Sequence, residues 1–170
     1  MEMNFCRRCG TGLTPVGEGA YKCESGHAIF LNPAPTTGVF FITEKNEVVL
    51  GVRALAPNEG TLDCIGGFVD PGETIEDALK REIQEEVGLS PEDYEIPLFL
   101  STETFDYEYD SEHRPVLSMM FWSRLKPGAN LRAADDVARI VTTPIQDIDP
   151  NDIGNNDSRM GFIKLQALFT

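Results

Sequence analysis

Long apolar runs are missing from this sequence: no stretch of aliphatic, aromatic or cysteine residues exceeds four, as in Val39 to Ile42. A bilayer-spanning helix needs about 20 apolar residues, so no membrane span is expected. The first five residues also lack the basic segment and apolar stretch of a secretory signal, and a cytoplasmic location is the expectation. Cysteines are few and unevenly placed. Cys6, Cys9 and Cys23 crowd the N-terminal end, while Cys64 stands alone. In a reducing compartment that asymmetry points to a metal site and away from a disulfide framework. Bases are scarce as well, with 14 Lys and Arg against 28 Asp and Glu and a formal charge of −14. Such a field repels polyanions, so neither nucleic acid nor membrane is expected as a partner. A phosphate-bearing ligand would need a cation bridge.

What remains is an ordinary globular composition, 41% hydrophobic and 25% charged over 170 residues, enough for one core and a small appendage. The appendage is residues 1–32, rich in Gly, Cys and short strand-like pieces, with Glu2, Glu18 and Glu24 balanced by Arg7, Arg8 and Lys22. Asn32-Pro33-Ala34-Pro35 reads as an extended connector, and residues 35–170 form the main domain. There, two β-rich runs, 36–42 and 47–53, flank a short turn and predict a hairpin. Further strands are expected near 98–105 and 116–125, with helices over 75–87 and 159–169. The class is α+β or mixed α/β.

The helix over 75–87 holds an anomaly. Thr74 suits its N-cap and Gly88 its left-handed C-terminal position, and Ile75, Ala78, Leu79, Ile83 and Val87 define its apolar arc. At 100° per residue, Glu86 falls within roughly 20° of the centre of that arc and Glu82 within roughly 60°, with Glu85 on its edge. A carboxylate aimed at a core costs several kcal/mol unless it is paired or bound to metal, and stacked carboxylates repel. A bound divalent cation removes both penalties, and oxygen ligands select Mg²⁺ or Mn²⁺, which can carry substrate phosphates.

From Gly67 the sequence runs G, five residues, Glu73, seven residues, then R-E-I-Q-E-E-V-G-L from Arg81 to Leu89. This resembles the complete Nudix box of the Nudix hydrolase family. The resemblance implies an α/β/α sandwich with a mixed sheet. It also implies attack of water on a phosphorus of a nucleoside diphosphate linked to another group, such as NADH or ADP-ribose, releasing a nucleoside monophosphate. Matched position by position, Glu82, Glu85 and Glu86 would hold metal, Glu73 would pair with Arg81, and the Gly66-Gly67 backbone would lie close to the substrate. Family members often carry a further acid in a later loop. Asp136 is the first choice here, with Glu103, Asp106, Glu108, Asp110 and Glu112 as rivals. Tyr107 and Tyr109 are candidates for stacking on a nucleobase, whereas Phe105 reads as packing, and Cys64 as a small buried strand residue. A non-hydrolytic sensor of ADP-ribose is the alternative reading, and a homodimer is compatible with either.

Near the N-terminus, Cys6-x-x-Cys9 is followed after thirteen residues by Cys23-x-x-x-His27. Two close pairs complete a tetrahedron of the kind structural Zn²⁺ takes. The piece resembles the zinc ribbon of NADH pyrophosphatases, whose second pair is Cys-x-x-Cys; here Gly26 occupies the expected cysteine position and His27 is the substitute. The S-Q-P-W-P-F-P stretch of that group is missing, and so is a proline at Phe105 seen in ADP-ribose hydrolases.

Overall fold

The structure, a computed structural model, describes residues 3–109 and 112–169. Its architecture follows from two strands without a polar face. In β4 (Ala34–Ile42) and β5 (Glu47–Arg53), Val39 to Ile42 and Val48 to Leu50 are wholly apolar, so both sides of the sheet must be covered. Val39, Phe41 and Val49 pack with Leu79, Ile83 and Val87 of α1 (Ile75–Val87). Phe40, Ile42, Val48 and Leu50 pack with Phe162 and Leu165 of α2 (Asn156–Leu168). Alternate side chains of one strand thus serve two cores, and the result is the expected α/β/α sandwich.

The remaining strands are β6 (Leu62–Asp63), β7 (Ile65–Phe68), β8 (Leu98–Tyr109), β9 (Glu112–Arg124) and β10 (Val137–Pro144). The main path runs β10-β5-β4-β9-β8, with β6 on β5 and β7 on β4. β4 pairs with β9 in parallel and the other strand pairings among the described residues are antiparallel, so the sheet is mixed. β4 pairs with β5 through Phe41 and Ile42, then with β7 from Val39 back to Thr36. That fork between β5 and β7 opens the cleft described below.

Three elements differ from the sequence expectation. The β8–β9 hairpin extends beyond Phe105 and begins before Val116, because aromatic and acidic residues keep alternating, with Phe105 and Tyr107 half-buried and Asp106 and Glu108 exposed. Helix α2 starts at Asn156 and not at Arg159. Strand β10 was not foreseen. Its exposure makes it polar on one face, and only pairing with β5 identifies it.

The N-terminal strands β1 (Leu13–Gly17), β2 (Ala20–Cys23) and β3 (Ala28–Phe30) form a separate three-stranded sheet. Its core contains Cys6, Cys23 and Ile29 with Met3 and Leu13 against them. Among the described residues, no helix is long and apolar enough to cross a membrane.

Candidate functional site

Helix α1 is held as its sequence demands. The Thr74 hydroxyl oxygen accepts the Asp77 N–H at 3.1 Å, and Gly88, at φ 70°, donates its N–H to Gln84 O. These caps set the rotation of the acidic residues. Glu86 is buried among Ala78, Leu79, Ile83 and Val87, the Glu82 side chain is 12% exposed and that of Glu85 is 48% exposed. The gradient follows the helical wheel.

Strand β7 lies against these carboxylates because two glycines let it. Gly66 donates its N–H to Glu86 Oε2 at 2.9 Å. At φ 148° a Cβ on Gly66 would stand 2.1 Å from the Thr37 carbonyl oxygen, and a Cβ on Gly67 would stand 2.5 Å from Glu82 Oε1. Gly66→Ala is therefore expected to lower unfolding free energy by at least about 2 kcal/mol, read by denaturant titration. A loss below about 0.5 kcal/mol would show that the strand relaxes freely.

Arg81 ties the box together. Its Nε and Nη2 donate to Glu73 at 2.8 and 2.9 Å, Nη2 also to Phe68 O at 3.0 Å, and Nη1 to Glu82 and Glu85 at 2.8 and 3.1 Å. Hydrogen bonds from the guanidinium hold the Glu73 carboxyl down at about 2. Glu86 is pushed the other way, to about 8, first by burial and then by the fields of Glu82, Asp63 and Asp136, with the Gly66 N–H opposing. Burial also raises Glu82. Among the described residues no cation pairs with Glu86.

Glu86 faces a cleft of about 150 Å³, also lined by Gly66, Gly67, Phe68, Phe105, Tyr107 and Asp136. Of the candidates for an acid outside the box, only Asp136 shares it among the described residues. Glu103 is ion-paired with Lys164, Asp106 meets His113 at 2.7 Å, and Glu108 and Glu112 border other grooves. Asp110 lies outside the described residues. Tyr107 stands edge-on to Phe68 and Phe105, with centroids 5.5 and 6.2 Å apart. Phe105, read as packing, lies half-buried edge-on to Tyr107 and also lines the cleft. Cys64 sits half-buried at the break between β6 and β7, also facing the cleft, and burial raises its thiol well above the ordinary range, the state of an inert cysteine.

Two acids on the cleft were not anticipated. Asp63 accepts from Arg53 Nη1 at 2.9 Å, Asn155 Nδ2 at 2.6 Å, Ser158 Oγ at 2.5 Å and the Cys64 N–H at 2.9 Å. Asp157 accepts from Ser118 Oγ at 2.5 Å, and burial raises its pKa. Nothing local marks Asp63. Asn155-Asn156-Asp157-Ser158, however, is a helix-start cluster that would have moved α2 back three residues and drawn notice to its first turn.

In the N-terminal sheet, Cys6 Sγ lies 3.6 Å from His27 Nδ1 and Cys9 Sγ 3.7 Å from Cys23 Sγ, and the four ligand atoms all fall within 4.8 Å of one another. Zinc–sulfur bonds of about 2.3 Å at tetrahedral angles imply sulfur–sulfur edges of roughly 3.8 Å, so the donor set fits Zn²⁺. Two turns make it. Gly10 N–H donates to Cys6 O and Gly26 N–H to Cys23 O, at φ 73° and 80°. Gly26 thus serves the turn and leaves ligation to the next residue, His27. Hydrogen bonds from Thr11 and then His27 pull the Cys9 thiol down to about 5, favouring the thiolate that metal requires, while burial raises Cys6.

A family model for the NUDIX domain matches residues 32–161. The chain is 35% identical over 97 residues to the NAD-capped RNA hydrolase NUDT12 of Macaca fascicularis, covering 50% of this chain and 21% of that protein. It is 44% identical over 66 residues to an ADP-ribose pyrophosphatase of Methanocaldococcus jannaschii, covering 38% of each. It thus spans about a fifth of NUDT12 and under two fifths of the second protein. Among solved structures, a NUDIX hydrolase from Nitrosomonas europaea superposes with a TM-score of 0.66 at 23% identity over 94% of this chain and 88% of that one. The NUDIX domain of Shewanella oneidensis NrtR complexed with ADP ribose gives 0.66 at 16% over 83% and 91%. At these identities the two structures attest the fold alone.

Proposed function

Because the chain belongs to the Nudix hydrolase family, we propose that it hydrolyses a diphosphate linkage in a nucleoside diphosphate joined to another group, releasing a nucleoside monophosphate. The observation that carries this reading is Glu86, a buried carboxylate with no cationic partner among the described residues, on the same helix face as Glu82 and Glu85 and beside a cleft. An all-oxygen donor set of Glu82, Glu85, Glu86 and Asp136 suits Mg²⁺ or Mn²⁺. Such ions, when bound, supply charge neutralisation for the diphosphate and stabilise the departing oxygen.

The chain's own groups do the rest. Arg81, clamped by Glu73 and Phe68 O, orients Glu82 and Glu85. The Gly66 N–H aligns Glu86. One of the box carboxylates accepts the proton of the attacking water, and the Gly66-Gly67 backbone lets the diphosphate approach. Tyr107 offers a stacking surface for a base. Residues 1–32 form a zinc-held module on Cys6, Cys9, Cys23 and His27, and residues 35–170 the catalytic domain.

The substrate class is NADH, ADP-ribose or a relative. A formal charge of −14 favours a small nucleotide over an RNA chain. A sensor that only binds would not need Glu82, Glu85 and Glu86 together on one helix face, which disfavours the non-hydrolytic alternative. Incubation of NADH, NAD⁺, ADP-ribose, diadenosine polyphosphates, nucleotide sugars and nucleoside triphosphates with Mg²⁺ or Mn²⁺ should release nucleoside monophosphate from an adenine dinucleotide or ADP-ribose compound. Binding without turnover across the whole series would instead support the sensor.

A further inference from the structure

Beside α1, the loop that follows the helix and the approach to β8 enclose a groove of about 520 Å³. Its floor is Leu79 and Ile83 of the helix with Tyr94 and Phe121. No described residue lines both this groove and the cleft. Apolar side chains also stand up around it. Ile96, at the rim, is 85% exposed, and Phe99, 61% exposed, lies edge-on to Phe121 with ring centroids 6.0 Å apart. An apolar hole open to water beside apolar knobs open to water marks a surface that another molecule covers.

The chemistry of the groove narrows what that molecule is. A formal charge of −14 disfavours an anionic lipid surface or a polyanion. Addition of a strand is disfavoured as well. β8 ends the sheet, but Pro97 precedes it and a bulge interrupts it between Phe99 and Ser101, two devices that keep an edge from pairing with another chain. The occupant is therefore held by side chains. At the rim, Glu76 and Glu95 are matched by Lys80 and Lys126, all four exposed. Over the whole chain acids outnumber bases 28 to 14, so this balance is local.

Contact across a two-fold axis requires a surface complementary to itself. This one carries its own hole and its own knobs, with as many bases as acids around them. We propose that the groove is the contact face of a symmetric dimer and that its occupant is a second copy of this chain. Ile96 of each copy enters the groove of the other, and the lysines of one rim meet the glutamates of the other. The contact lies outside the cleft, so the proposal stands or falls apart from the diphosphatase reading.

Sedimentation equilibrium is the test. At about 50 µM the wild-type chain should run at twice the 18.8 kDa of one copy. Ile96→Asp puts a charge on an anchor that faces water in the single chain, so the fold should stand while self-association weakens at least about thirtyfold. The rim is tested by pairing. Lys80→Glu/Lys126→Glu makes it wholly acidic and Glu76→Lys/Glu95→Lys wholly basic, so each double variant should self-associate at least about tenfold more weakly than wild type, while an equimolar mixture should form a heterodimer. Three outcomes would each overturn the proposal: a wild-type chain that stays monomeric at this concentration, a dimer unmoved by Ile96→Asp, or charge variants that pair no better with each other than with themselves. The first would leave the groove to a different protein, and the second would place the dimer contact on another face. If Ile96→Asp fails to fold, the charge variants, all at exposed positions, still decide.

Discussion

Glu86→Gln is expected to lower turnover at least about a hundredfold under saturating Mg²⁺ while leaving the fold intact. Glutamine is the same size and its amide oxygen can still accept the Gly66 N–H that now reaches Oε2 at 2.9 Å. The apolar packing of Ala78, Leu79, Ile83 and Val87 is untouched. What disappears is one buried negative charge on the cleft. Near wild-type turnover in the variant would remove Glu86 from the proposed metal ligands, and a lost far-ultraviolet circular dichroism signal would mean that activity had been lost through folding.

The same substitution carries a stability signature of opposite direction when metal is withheld. Burial pushes the Glu86 carboxyl up to about 8, against an ordinary value of 4.5. A folded state that keeps a proton the unfolded chain has released loses stability as pH rises between those two values. In EDTA, the wild-type melting temperature should therefore fall from about pH 5 to pH 8 by more than that of Glu86→Gln, which has no proton to lose at this position. Parallel profiles would show that Glu86 is better solvated than its burial suggests.

How much of this was legible in the sequence depends on where the deciding interaction lies. Helix α1 was readable to the residue because Thr74 and Gly88 cap it locally, and the rotation of Glu82, Glu85 and Glu86 follows from the helical period alone. The double-sided burial of β4 is likewise written in its unbroken apolar run. Strand β10 was not readable, since exposed residues such as Ala138 and Arg139 give it no apolar alternation and its identity as a strand comes from β5. Asp63 and Asp157 were missed for a related reason. Their significance comes from Ser118, Arg53, Asn155 and Ser158, brought in from other segments by the fold. Asp136 was separable from its acidic rivals only once the hairpin geometry had directed Glu103 to Lys164 and Asp106 to His113.

The second large effect concerns the N-terminal sheet, whose core is too small to fold on apolar burial alone. If Cys6, Cys9, Cys23 and His27 hold one Zn²⁺, wild-type protein should retain about one zinc per chain after dialysis against Mg²⁺ buffer, because thiolates prefer zinc whereas the box carboxylates prefer harder ions. Cys6→Ser should retain almost none. Cys6 is 1% exposed and shares the core with Cys23 and Ile29, so its loss removes both a ligand and a packing contact. Limited proteolysis should then cut within the first 30 or so residues, and a strong chelator should reproduce that pattern in the wild type. Cys64→Ser is the control: Cys64 contacts Ser158 at 3.3 Å in the other domain and should leave zinc content unchanged. Turnover of Cys6→Ser should stay within a few-fold of wild type, since among the described residues none of the ribbon lines the cleft. A zinc-free wild-type protein with a protease-resistant N-terminus would remove the metal site. Complete loss of turnover in folded Cys6→Ser would mean that the ribbon completes the active site, directly or across a dimer, and that the two-part division of the chain is wrong.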